Sequence, residues 1–513
     1  MQAFFCSATR YDRHKNATLS LGLALGHARL AKQLSAAADE GAMTDTSIAF
    51  PECVVTIDGN AFDGELLQVV VNQELDCPAQ CRIAIVGEHQ LLPGASIELH
   101  LNGQLLFRGR ISAVRRKIGR GQPPGVEIRA YDTLDQLSAL APQRLFTNRS
   151  LQALASELLT GSGVQVQGGA QASFTRLAQH RHSDLDLLRQ ACRLCGQHFH
   201  LFDNMLAIFD IGNGNGENPV ELDIESLFSC EIEHDQRSDC GQIHTSGWDS
   251  VSGSLLQAQA GQGATHAISD LPADHPSRMQ ALAQGILAQQ QAATRHLCGL
   301  ANGNPSLRPG RPVRLSSGEQ AVLAQVTHQL NSGQGFTTRF DSLPTPRAAF
   351  DRASIASFAR VCAVNDPDGR GRVQVEYPSM GNLVVDWLPV IIPGAGPGKG
   401  LTALPQVDDI VVVLLPAGDP TQGLVLGGVY QAGESPNTGA SSGEVQAYSL
   451  QSPGGQQIRL EDDQKRLLLT QADGSTIYLE PQGITIKAIG DLNISAPGKN
   501  ITITAAKVDF KQG

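Results

Sequence analysis

The sequence contains no apolar run near the roughly 18 residues that a membrane-spanning helix requires, which excludes that class of anchor. It has no excess of positive charge. With 39 Lys and Arg against 50 Asp and Glu, the formal net charge is -11, so no basic field is available for nucleic acid or an anionic membrane surface. Cysteine lacks the dense, even framework of a small secreted scaffold; the ten are spread from Cys6 to Cys362 and read as reduced thiols of a cytosolic product. Signal-peptide grammar is missing too. The apolar stretch at 18–28 is broken by Gly22, Gly26 and His27 and trailed by Arg29 and Lys32. Residues 1–47 therefore read as an extension, either an amphipathic helix or sequence upstream of a true start at Met43. Aromatic residues are scarce at 5%, against 53 Gly and 26 Pro, a balance that disfavours long helices and favours short strands joined by tight turns.

At 513 residues the chain is too long for one core and predicts roughly three or four domains. From Ile48 short alternating apolar blocks (CVVTIDG, LQVVVNQ, CRIAIVG) predict a β-barrel over 48–145, with Asn102-Gly103 as a hairpin turn. An α/β segment follows at 146–218, with helices at 150–159 and 183–195 and the strands of FHLFDNMLAIFDI. Residues 219–346 predict a second barrel with a helix at 277–295 behind Pro276, and RPVRLSSGEQAVLAQVTHQL reads as two strands. A third strand-rich unit spans 347–432, a linker 433–449, and a repeat 450–513.

No motif here carries chemistry. GAGPGKG has Pro393 and Gly400 where a phosphate loop needs Gly and Ser or Thr, so it reads as a barrel loop. Cys192 and Cys195 form a CxxC with no second pair and fall on the apolar side of a helix, which points to packing. His198 and His200 share a strand face near His180 and His182 but lack a carboxylate at ligand spacing. No catalytic residue, metal site or cofactor is assigned.

The segment FARVCAVNDPDGRGRVQVEYP is a hairpin by construction, and with VVDWLPVIIP, IVVVLLP and GDPTQGLVLGGVY it supplies five strands suited to an OB-fold barrel. Its signature residues are Asn365, Asp366, Asp368, Gly369 and Gly371 in the turn, Trp387 in the next strand, Gly418, Asp419 and Pro420, then Gly427 and Gly428. Beyond it, apolar doublets at i and i+2 recur about every eight residues: Ile458/Leu460, Leu467/Leu469, Ile477/Leu479, Ile484/Ile486, Leu492/Ile494, Ile501/Ile503 and Val508/Phe510. Side chains two apart on a strand share a face, so each doublet aims at one interior. Eight residues form one side of a triangular coil, and seven such units make too few coils for one chain. Three chains wound together would close every layer, which predicts a homotrimeric needle with the doublets at its core.

The order of NDPDGRGRV, a Trp-centred strand, a Gly-rich loop, GDP and VLGGVY resembles the barrel domain of the VgrG family and of phage baseplate hub and needle proteins. Upstream, FRGRISAVRRK, HSDLDLLRQACRLCG and FHLFDNMLAIFD resemble the hub part of that family. The resemblance implies a mainly β fold with an α+β hub: tandem β-barrel hub domains with helical insertions, an OB-fold barrel and a C-terminal intertwined trimeric β-helix. It implies a mechanical spike joining a hexameric inner tube protein and baseplate proteins to a needle that pierces a target membrane, tipped by a PAAR-repeat protein and carrying effector cargo, without nucleic acid or catalysis. With only 431–448 between barrel and repeat there is no room for an inserted lysozyme, and the chain ends at Gly513 without an effector extension. The compact length favours an extracellular injection particle or phage-like tail over a type VI secretion spike, assembled in the bacterial cytoplasm and released as part of the particle. The alternatives are a secreted parallel β-helix enzyme acting on polysaccharide, which would need many more coils and a carboxylate cluster, and a trimeric tail fibre or adhesin, which would lack the hub half.

Overall fold

The computed structural model describes residues 51–511 except 120–123, 140, 181, 236–240, 250, 251, 253, 270, 332–334, 346–353, 432–438 and 442. The extension at 1–47, with its two candidate starts, lies outside the described residues, as do Pro346 and much of the linker at 433–449. The chain divides into two compact units: residues 1–355 with Ser379–Leu388 and Leu415–Gly423, and Ala356–Pro378 with Pro389–Leu414 and Leu424–Gly513.

The first unit is built on an eleven-stranded sheet. Its strands lie in the order Leu227–His234, Arg295–Asn302, Gly335–Asp341, Gln325–Asn331, Leu66–Glu74, Gln80–Val86, Gly125–Tyr131, Gln104–Lys117, Ser96–Leu101, Cys53–Ile57 and Asn60–Ala61. Alternation fixes its buried side: Val69 and Val71, Ile83 and Ile85, Ile97, Leu99 and Leu101, and Ile128 all lie in one core. At the turn before Gln104–Lys117, Asn102 and Gly103 both take positive φ, 49° and 74°, as a two-residue hairpin turn with the right twist demands. The two segments expected as separate barrels share this one sheet, because Gln325–Asn331 pairs antiparallel with Leu66–Glu74. That pairing satisfies backbone groups which two open edges would have left bare. RPVRLSSGEQAVLAQVTHQL forms three strands rather than two, Pro312–Leu315, Gln320–Val322 and Gln325–Asn331, because Ala324 and its neighbour break the run.

Among the described residues this unit carries three α-helices: α1 (Leu151–Leu158), α2 (Asp184–Leu194) and α3 (Pro276–Ala293). Ser150 caps α1 by accepting from Ala153 N–H at 3.2 Å. Ser183 and Asp186 form a reciprocal capping box on α2, which buries Leu185, Leu188, Ala191 and Cys192. Pro276 opens α3, where a missing N–H costs nothing. The helix packs on the strands Gln242–Asp249 and Ser254–Gly261.

The second unit carries the antiparallel strands Ile355–Ala363 and Val373–Tyr377, then Ile410–Leu415 against Leu424–Gly428. Val373, Val375 and Tyr377 are fully buried, the period-2 face read from the sequence. Farther on, Ala447–Gln451, Gln457–Glu461, Arg466–Thr470, Thr476–Glu480 and Gly483–Lys487 form a five-stranded sheet in chain order, every pair antiparallel. This departs from the expected coil: in the single chain each repeat pairs with the next through a tight turn, which satisfies its backbone without a second chain. No strand is present among the described residues from 488 onward.

Candidate functional site

In the barrel hairpin, Asp366 organises the turn. Its Oδ1 accepts from Asp368 N–H at 3.1 Å and its Oδ2 from Arg370 N–H at 2.9 Å. Arg372 grips the same carboxylate twice, Nη2 to Oδ1 at 2.6 Å and Nε to Oδ2 at 2.9 Å, and reaches Asp368 Oδ2 at 2.7 Å. The side chains of Asp366 and Arg372 are buried while Asp368 is exposed. Hydrogen bonding to Arg372 holds the Asp366 carboxyl well below its ordinary range. Gly369 and Gly371 take φ of 63° and 70°, which the close wrap requires. Asn365 is exposed and Trp387 half-buried.

In the first unit, Asp419 caps a short turn by accepting from Thr421 N–H and Oγ1, both at 2.8 Å, between Gly418 and the buried Pro420. Burial pushes its carboxyl up. Gly427 and Gly428 lie in the closing strand. Asp366 and Asp419 both accept from backbone N–H groups and so shape the turns they sit in.

The histidines weighed for metal have other surroundings. His198 Nδ1 lies 2.8 Å from Asp76 Oδ2. His200 is buried with neither ring nitrogen hydrogen-bonded, and burial pushes its pKa down to about 3. His180 and His182 stack edge-on, ring centres 6.0 Å apart. Cys192 and Cys195 lie in an apolar cluster, where burial pushes the Cys195 thiol up to about 12.

The most unusual surface is on the C-terminal sheet. Its register sets Ile458 against Leu469, Leu460 against Leu467, Leu469 against Ile477, Leu467 against Leu479, Ile477 against Ile486 and Leu479 against Ile484. Tyr448 and Leu450 extend the row by pairing with Leu460 and Ile458. Four successive doublets thus share one face, and it is open: Leu450 and Leu460 are 50% exposed, Ile486 56% and Ile484 70%. The other face is mixed: Arg459, Glu461 and Arg466 are linked in ion pairs beside Leu468 and Tyr478. Leu492, Ile494, Ile501, Ile503, Val508 and Phe510 are exposed and outside any strand. Sequence spacing located the doublets; it missed Tyr448 and Leu450, which share the i, i+2 spacing one strand earlier.

Residues 358–430 match the family model of the type VI secretion system/phage-baseplate injector OB domain. No curated protein sequence matches the chain. Among solved structures, the fold is similar to the E. coli c3393 protein, described as a component of the type VI secretion system with structural similarity to T4 bacteriophage tail proteins gp27 and gp5. Identity is 14% over 73% of this chain and 99% of that one, with a TM-score of 0.49. It is similar also to the 43 kDa tail protein of prophage MuSo2 from Shewanella oneidensis, at 11% identity, 57% and 98% coverage and a TM-score of 0.45. A tail protein from Neisseria meningitidis MC58 matches at 15% identity, 57% and 96% coverage and a TM-score of 0.46. The family match thus covers the barrel segment at 358–430, which is similar to an injector OB domain.

Proposed function

We propose that three copies of this chain assemble through the apolar face of the C-terminal sheet into the shaft of a spike. The observation that carries this reading is the open row of ten apolar side chains from Tyr448 to Ile486 on one face of the sheet. A contiguous apolar face of this kind is costly in water and is relieved by self-association around an axis. In this reading 488–511, with its continuing doublets, orders only in the trimer. The hub joins a hexameric tube protein and baseplate proteins, and the shaft transmits force to a target membrane through a tip closed by a PAAR-repeat protein. Effector cargo travels with the spike, and the chain itself does no catalysis. Assembly takes place in the bacterial cytoplasm, followed by release with the particle.

Light scattering of the purified chain tests the reading. Three times the chain mass of 54.4 kDa is the expected result, and a stable, fully folded monomer overturns it.

A further inference from the structure

Among the described residues, His, Cys and carboxylate groups converge at metal-ligand distance at one place, and it lies in the first unit. Three neighbouring strands meet there: Leu227–His234 at the sheet edge, Arg295–Asn302 and Gly335–Asp341. Register places Glu231 opposite Cys298, Glu233 opposite His296, and Cys298 opposite Asp341, so all five side chains share one face. His296 Nε2 is 3.0 Å from Asp341 Oδ1, and its Nδ1 is 3.8 Å from Glu233 Oε2. Cys298 Sγ is 4.0 Å from Glu231 Oε2. The ligand atoms of His296, Cys298 and Asp341 all lie within 4.8 Å of one another.

We propose that His296, Cys298 and Asp341 bind a divalent, borderline-soft metal ion of the zinc class, with Glu231 completing a four-ligand set across the three strands. One imidazole, one thiol and two carboxylates are the donor types such an ion accepts, and four ligands suit its tetrahedral habit. Bonds of about 2.0–2.3 Å would hold the ligand atoms roughly 3.5 Å apart, so modest side-chain rotation closes the set. The Asp341 carboxylate is already oriented: Leu343 N–H donates to its Oδ1 at 2.8 Å. Glu233 stands beside the His296 ring and is placed to hold its other nitrogen. Binding converts the Cys298 thiol to thiolate and passes its proton to solvent. The ion would clip the edge strand Leu227–His234 to its two neighbours and add stability by mass action, since the unfolded chain does not hold the four ligands together.

The test is a cobalt(II) titration of the chelator-treated full-length chain, followed by the thiolate-to-cobalt charge-transfer absorption and by zinc displacement of that signal. One equivalent per chain and a higher melting temperature with zinc are expected. Cys298→Ser should abolish the charge-transfer band, and His296→Asn should weaken binding at least about 10-fold. Circular dichroism without metal checks that both variants keep the fold; should Cys298→Ser not fold, the arm rests on His296→Asn and Asp341→Asn. Absence of the band in the parent chain, or equal affinity and an unchanged band in the folded variants, overturns the site and leaves a hydrogen-bonded cluster only.

Discussion

Arg372 turns back on Asp366, six residues earlier, and holds its carboxylate by two parallel contacts of 2.6 and 2.9 Å. Asp366→Asn removes the charge and leaves the buried Arg372 guanidinium with only the exposed Asp368 as counterion, an expected loss of about 2–3 kcal/mol for the barrel. The pair also gives the barrel an acid limit. Because the folded carboxyl titrates below its ordinary value of about 3.9, its contribution is complete above that pH and disappears as pH falls further. Thermal melts from pH 5 to pH 2 should show a steeper decline for the parent than for Asp366→Asn; equal slopes would argue against the pair as the cause.

Ile486 and Lys487 are neighbours in sequence and opposites in the sheet. Ile486 stands across from Ile477 in the apolar row, whereas Lys487 stands across from Thr476 on the opposite face. Ile486→Asp would place three carboxylates in one apolar layer of the proposed trimer, at several kcal/mol for each unpaired charge. Lys487→Glu should change stability by no more than about 0.5 kcal/mol. Trimer dissociation, followed by sedimentation on dilution, compares them; equal tolerance would refute the packed face.

His328 is buried with its Nε2 3.1 Å from Leu307 O and its Nδ1 2.9 Å from Thr338 Oγ1. Burial pushes its pKa down to about 4, and that of His200 to about 3. A depressed histidine contributes fully above its unfolded value of about 6.5 and loses that contribution as pH falls toward 4. His328→Gln should therefore flatten the dependence of melting temperature between pH 6.5 and 4. An unchanged slope would assign the effect elsewhere.

Gly285 in α3 meets Gly196 so closely that an added Cβ would fall 2.2 Å from Gly196 O. In an open helix Gly→Ala gains about 1 kcal/mol; here overpacking costs about 1–3 kcal/mol and should win. Gly285→Ala is expected to lower the melting temperature of the first unit. A rise would show that the helix yields by sliding.

What the sequence by itself determined is the local order. The helices near 150, 183 and 277, the Asn102-Gly103 turn, the buried alternation of Val373, Val375 and Tyr377, and the shared face of the doublets follow from periodicity and capping within a few residues of chain. Such signals act through neighbours a turn or a pleat away, so one chain suffices to read them. Tertiary structure alone decided the partners. Glu74 pairs with Gln325 to fuse two expected barrels into one sheet, the C-terminal repeats fold back on one another instead of winding, and Asp341 comes to lie beside His296 and Cys298. The choice of strand partner is made by backbone groups that look alike in every strand, and it is settled only when the whole set of edges and apolar faces finds its lowest free energy together.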